Sequence, residues 1–165
     1  MQIMLSRHQQ KNVWEGWLDS ETRACYFAAL CRRYHLTQRA VTWTILVVSS
    51  GAAAAAIAEL PPQVAWVRTV LALATAGLSL LSLVANFTKS AADCSDLQFQ
   101  WNKLAIDYES LWADMSSQKA QEQLASLSQR AAELSQRAGP LLYKEKLMLK
   151  WKRHTLTQHG LQATA

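Results

Sequence analysis

Apolar residues are distributed along this chain in two different ways. Between residues 8 and 36, apolar or small residues stand at Val13, Trp17, Ser20, Ala24, Phe27, Cys31 and Tyr34, at steps of 4, 3, 4, 3, 4 and 3. That spacing keeps them on one face of a helix and predicts an amphipathic helix with a heptad seam. Cys94, Leu97, Trp101, Leu104, Tyr108, Leu111 and Met115 repeat the pattern at steps of 3 and 4. The two seams, with Trp14 and Trp112 beside them, predict a helix pair or bundle. The same spacing continues over 117–138 through Leu124, Leu127, Ala131, Leu134 and Ala138. Ser116 and Ser117 mark a break or a new N-cap there, and Gly139-Pro140 ends the helix. Within it, Leu-Ser-Gln-Arg-Ala occurs twice, at 127–131 and 134–138.

Between the first two seams the alternation disappears. Residues 41–60 read VTWTILVVSSGAAAAAIAEL, with Glu59 the only charge. Residues 64–87 read VAWVRTVLALATAGLSLLSLVANF, with Arg68 the only charge. Twenty helical residues reach about 30 Å, the thickness of a bilayer core. Pro61, Pro62 and Gln63 separate the segments and predict a tight turn. A buried soluble hairpin of this length normally shows a polar face, and the first segment has none beyond Ser and Thr. No proline or glycine lies between Gly77 and Met115, so the second span is expected to run on as one rod.

The expected fold is therefore an all-α membrane protein. A two-transmembrane helical hairpin joins a cytoplasmic helical bundle, and the second span is continuous with a long cytoplasmic helix. The corresponding regions are an N-terminal cytoplasmic amphipathic helix (1–40), the transmembrane hairpin (41–88, with spans 41–60 and 64–87), a cytoplasmic helical region (89–153) and a flexible tail (154–165).

Composition supports this split. Half of the residues are hydrophobic and 18% are charged, against about 25% in ordinary soluble domains. The net charge of +5 resolves into +3 over 1–40, zero over 41–88 and +2 over 89–165. Arg32, Arg33 and Arg39 precede the first span and Lys89 follows the second, while the turn between them has no basic residue. The positive-inside rule then places both termini in the cytoplasm of a multi-pass inner-membrane protein. Trp43 and Trp66 stand where an aromatic belt is expected. These six residues are the membrane-interface anchors. Charge on the flanks is too dispersed for a nucleic-acid footprint. Residues 141–153 (LLYKEKLMLKWKR) combine apolar and basic side chains. They read equally well as a helix on the anionic inner leaflet or as a terminal helix packed on the bundle.

Catalytic motifs are lacking. No phosphate-binding loop, dinucleotide fingerprint, zinc-protease helix or nucleophile elbow occurs. His8, His35, His154 and His159 are scattered, and Cys25, Cys31 and Cys94 form neither a disulfide framework nor a zinc pair. The chain is not expected to be an enzyme or to carry a cofactor or metal.

One polar pattern interrupts the second apolar segment. Arg68, Ala72, Thr75, Ser79, Ser82 and Asn86 recur at steps of 4 and 3 on one face. In a ring of subunits this face would line an aqueous path. In a packed hairpin the same small residues would serve close contact with Ser49, Gly51, Ala52, Ala53 and Ala56. The cytoplasmic seam most relevant to assembly is Trp17, Phe27, Leu97, Trp101, Leu104, Tyr108 and Leu111.

The order of parts resembles a known family. A helix ending in a basic stretch, RACYFAALCRRYHLTQRA (23–40), leads into a short-looped pair of spans, and these lead into SDLQFQWNKLAIDYESLW (95–112). This arrangement, over about residues 10–115, resembles the SLATT family of two-transmembrane effectors in prokaryotic nucleotide-linked conflict systems. The resemblance implies a homo-oligomeric, pore-forming or ion-channel effector of antiviral defence, triggered by a separate sensor or nucleotide signal and acting on the lipid bilayer. It implies no catalytic residues. Two other readings remain: a membrane anchor or adaptor whose cytoplasmic helices bind a soluble partner, and a holin-like viral protein.

Overall fold

A computed structural model describes residues 5–49, 66, 70, 73, 74, 76, 77, 87–141 and 143–161. The described residues form four helices and no strand, an all-α fold. They are α1 (Arg7–Ser49), α2 (Phe87–Ala113), α3 (Ala120–Ala138) and α4 (Glu145–Gln158). Among the described residues no helix is long and apolar enough to cross a membrane. Most of the expected spans 41–60 and 64–87 lies outside the described residues, but 41–49 belongs to α1 without a break at residue 40.

Local chemistry sets the helix ends. The Ser6 Oγ accepts the Gln9 N–H at 3.2 Å, and the Gln9 side chain accepts the Ser6 N–H at 2.9 Å. This reciprocal pair satisfies two of the donors that a helix start leaves open, so α1 begins at Arg7. The break between α2 and α3 falls near Ser116 and Ser117, but neither caps α3. Lys119 stands at the N-cap position without a side-chain bond. Glu122 in the first turn and Arg137 in the last complement the helix dipole. Gly139 and Pro140 follow the last residue of α3.

The chain divides into two compact units, Met1–Leu30 with Asp93–Ala165, and Cys31–Ala92. In the first unit, α1 and α2 run antiparallel. Trp14 packs at a tilt against Trp112, Gly16 abuts Tyr108, and Arg23 lies over the Trp101 ring. The seam residues Val13, Ser20, Ala24 and Phe27 of α1, and Cys94, Leu97, Trp101, Leu104, Tyr108 and Leu111 of α2, are all buried. α3 returns antiparallel to α2, tied by Arg130–Asp107 and Arg137–Asp96 ion pairs. α4 runs antiparallel to α1, with the Lys144 N–H donating to the Tyr26 hydroxyl at 3.0 Å and His159 meeting Glu21. The result is an up-down-up-down four-helix bundle. Its core is apolar and large enough to hold the unit together through hydrophobic burial.

The tail expected to fray from residue 154 begins instead as ordered helix. α4 continues to Gln158, Thr155 is fully buried, and the His159 ring nitrogen lies 2.7 Å from the Glu21 carboxylate. The partners that hold it, Trp14, Trp17 and Glu21, are over a hundred residues away in sequence, so local pattern carried no sign of them. Residues 145–153 belong to a terminal helix that packs on the bundle through the buried Leu147.

In the second unit, the Cys31 thiol lies 3.6 Å from the Ala91 carbonyl, and the Gln38 amide donates to the Thr88 hydroxyl at 3.0 Å.

Candidate functional site

The two units differ in how they place apolar side chains. In the first, most large apolar residues are buried, with Phe99, Ile106, Tyr143, Leu149 and Leu161 exposed. In the second, Leu36, Trp43, Leu46 and Val47 of α1, together with Trp66, Val70 and Leu73, are between 51% and 68% exposed. Trp43, Leu46 and Val47 recur at steps of 3 and 1, so they lie on one side of α1. Scattered exposed apolar residues are ordinary, but a contiguous set of large ones marks an interaction surface. Thr37 and Thr44 return their hydroxyls to the Arg33 and Ala40 carbonyls at 2.9 and 2.8 Å. Both hydroxyls are thereby satisfied within the helix.

Around this surface, Arg32, Arg33, Arg39 and Lys89 are exposed, as are Trp43 and Trp66. The polar stripe of Arg68, Ala72, Thr75, Ser79, Ser82 and Asn86 lies outside the described residues. The seam residues are brought together inside one chain: Phe27, Leu97, Trp101, Leu104, Tyr108 and Leu111 are buried and Trp17 is half-buried. A second buried face of α1, formed by Thr22, Tyr26 and Leu30, was missed in the seam. Its sequence signal was the pair Tyr26 and Leu30 beside Phe27, which widens the apolar stripe to face more than one neighbour.

Two side-chain clusters organise the bundle. Arg23 links three helices. Its Nε donates to Asp19 at 2.7 Å, its Nη1 to the Ser135 hydroxyl at 3.4 Å, and its guanidinium carbon sits 4.8 Å from the Trp101 ring centre. His159 is the second. Besides Glu21, it packs edge-on against Trp17 and Trp14, with ring centres 5.0 and 5.7 Å away. A cleft of about 680 Å³ opens between α1 and α4. Trp14, Leu18, Met148 and Leu156 give it apolar walls, and Asp19, Arg23 and Lys152 give it charge. Its volume suits a small molecule. Three buried polar atoms lack a partner among the described residues: the indole nitrogens of Trp101 and Trp151 and the Thr155 hydroxyl.

Burial pushes the Cys25 thiol up, and the nearby Glu21 carboxylate adds to this, so the reactive thiolate is disfavoured. Burial likewise pushes the Tyr108 phenol up; a hydrogen bond with Ser128 partly offsets this, and the Asp19 charge adds to it. Among the described residues no three His, Cys, Asp or Glu side chains converge as metal ligands would. No protein-family model, no curated protein and no solved structure matches this chain.

Proposed function

We propose that the chain is a two-span inner-membrane effector that assembles into a homo-oligomeric pore or channel, acts in antiviral (abortive-infection) defence, and responds to a partner or nucleotide signal through its cytoplasmic bundle. The observation that carries this reading is the outward-facing apolar surface of the second unit. Leu36, Trp43, Leu46, Val47, Trp66, Val70 and Leu73 are directed away from their own unit. Water is a costly neighbour for such a surface and lipid is not. The sequence adds a length argument, since 41–60 and 64–87 each suffice to span a bilayer. With basic residues on both flanks, the hairpin leaves both termini in the cytoplasm. The SLATT-like order of parts supplies the link to defence.

Two helices cannot enclose an aqueous lumen, so the pore reading requires several copies. The face through Thr75, Ser79, Ser82 and Asn86 then lines the path. The test is ion flux from liposomes containing the purified full-length chain, with its mass measured in nanodiscs. A defined ring of four or more subunits that leaks ions is the expected active state. The double substitution Ser79→Leu and Ser82→Leu abolishes leak and leaves insertion intact. Unchanged leak in that variant sinks the pore assignment.

A second reading has its own support. Both heptad seams are filled within one chain, so the bundle is complete as a monomer. That favours an anchor or adaptor whose bundle binds a soluble partner. Replacing residues 41–87 by an unrelated hairpin separates the two: function survives in an adaptor and is lost in a pore.

A further inference from the structure

α4 turns one face to the bundle and a chemically different face outward. Leu147, Trp151 and Thr155 form the inner face, at steps of 4. The opposite face carries Lys146, Lys150, Arg153 and Thr157 at steps of 4, 3 and 4, with the exposed Leu149 beside them. Lys146, Leu149, Lys150, Arg153, His154 and Thr157 border a shallow depression of about 490 Å³. Lys152 is also exposed, and Glu145 is the only acid in the helix. None of Lys146, Lys150, Lys152 and Arg153 takes part in an ion pair among the described residues. Among the described residues, the ion pairs of the bundle are made elsewhere, by Lys11, Arg23, Arg130 and Arg137.

We propose that the outer face of α4 is a docking surface for an anionic phospholipid bilayer, engaged while α4 stays packed on the bundle. Charge complementarity names the partner. Cations outside any ion pair, recurring along a helix with one acid among them, match a surface of closely spaced phosphates. The apolar residue at the edge of the face is the aliphatic Leu149, which also borders the α1–α4 cleft and is 47% exposed; it inserts among acyl chains at headgroup depth. A single-stranded nucleic acid would call for an exposed aromatic stacking platform there, and Trp151 is instead turned toward the bundle. The long stems of Lys146, Lys150 and Arg153 cover apolar surface while their charges reach the headgroups. This inference is independent of the two-span reading, because it needs only an anionic bilayer within reach of α4. Each cation that enters the surface potential of an anionic leaflet strengthens attraction about fivefold. The bundle is thereby held differently on an anionic and on a zwitterionic membrane.

The test uses the full chain in nanodiscs of phosphatidylcholine, alone or with about a third phosphatidylglycerol. A photo-crosslinking amino acid replaces Leu149 in one variant and Val47 in another. Lipid adducts at Leu149 are expected to rise roughly tenfold in anionic discs and to fall back as salt is raised. The triple variant K146E, K150E and R153E, all at exposed positions, lowers them to the zwitterionic level. Equal adduct yields in both lipids, or adducts to protein alone, would overturn the proposal. Adducts at Val47 with none at Leu149 would overturn the docking face and leave the spans standing. Adducts at Leu149 with none at Val47 would keep the docking face and overturn the spans.

Discussion

Gly16 is the point of closest approach between α1 and α2. A Cβ built there would lie 2.6 and 2.7 Å from two ring carbons of Tyr108. Carbon atoms in ordinary contact stand about 3.5–4.0 Å apart, so the helices or the ring must give way by about 1 Å. The ring has little freedom, because Tyr108 is 3% exposed and its hydroxyl bonds to Ser128, which in turn donates to the Leu124 carbonyl. Overpacking a tight core costs about 1–3 kcal/mol. Replacing a helical glycine by alanine returns about 1 kcal/mol through backbone entropy. Gly16→Ala is therefore destabilising by up to about 2 kcal/mol, because the steric cost against the buried ring exceeds the propensity gain. In a chain of this length that lowers the melting temperature by up to about 6 °C. Scanning fluorimetry of the full chain at one fixed scan rate reads the shift. The decisive arm is the Tyr108→Leu background, where the obstructing ring atoms are gone. There the same Gly16→Ala change becomes stabilising by about 1 kcal/mol. A stabilising Gly16→Ala in the native background, or the same sign in both backgrounds, would falsify the close-approach argument.

Three further outcomes follow from the structure and the sequence. His159→Ala removes the contact to Glu21 and two aromatic edges, loosening α4 by about 1–2 kcal/mol; amide exchange over 145–158 should quicken while α2 is unaffected, and unchanged exchange would contradict the clasp. The Tyr108 phenol has a folded pKa above its ordinary value of 10.0, so its contribution to stability is complete below the unfolded pKa and is lost as pH rises through the folded one. Tyr108→Phe should flatten that alkaline decline in melting temperature; an identical decline in the variant would assign it elsewhere. Ala54→Arg places a charge in the middle of 41–60, at about 2.5–3.5 kcal/mol on insertion scales; a glycosylation-mapping assay should show the inserted fraction fall, and no change would remove 41–60 as a span.

The seam of α2 was legible residue by residue, because large apolar groups at strict steps of 3 and 4 fall on one helix face and must be covered. Leu97, Trp101, Leu104, Tyr108 and Leu111 all lie in the core. Which surface the seams meet was not legible, since the same spacing serves neighbours within a chain or between chains. Three contacts that decide it leave only weak local marks. Gly16 reads as a helix weakness until Tyr108 is set against it. Arg23 reads as a surface cation until Asp19, Ser135 and Trp101 surround it. His159 reads as part of a frayed end, because its partners Glu21, Trp14 and Trp17 are distant in sequence. The capping pair Ser6 and Gln9 was present as a local motif and fixes the start of α1. The polar stripe of 68–86 belongs to residues outside those described, so its lining or packing role stays with the proposed flux test.

Filled seams also constrain how copies would meet. Leu97, Trp101, Leu104 and Tyr108 are at most 3% exposed, so a neighbour cannot share them unless the bundle opens. Along α2, the large apolar side chains left outward among the described residues are Phe99 and Ile106. Two side chains seven residues apart give a stripe one residue wide, flanked by Asn102, Lys103 and Glu109. A two-sided heptad interface needs apolar residues at both of its seam positions, and this face has one. In the proposed pore, self-association then falls to the apolar segment itself. Ser49, Gly51, Ala52, Ala53 and Ala56 are small enough to let membrane helices approach closely. The expected result is that Phe99→Glu with Ile106→Lys leaves the mass in nanodiscs unchanged, while Ala52→Leu with Ala56→Leu lowers it. Subunit loss on altering α2 alone would place assembly on the bundle and refute this reasoning.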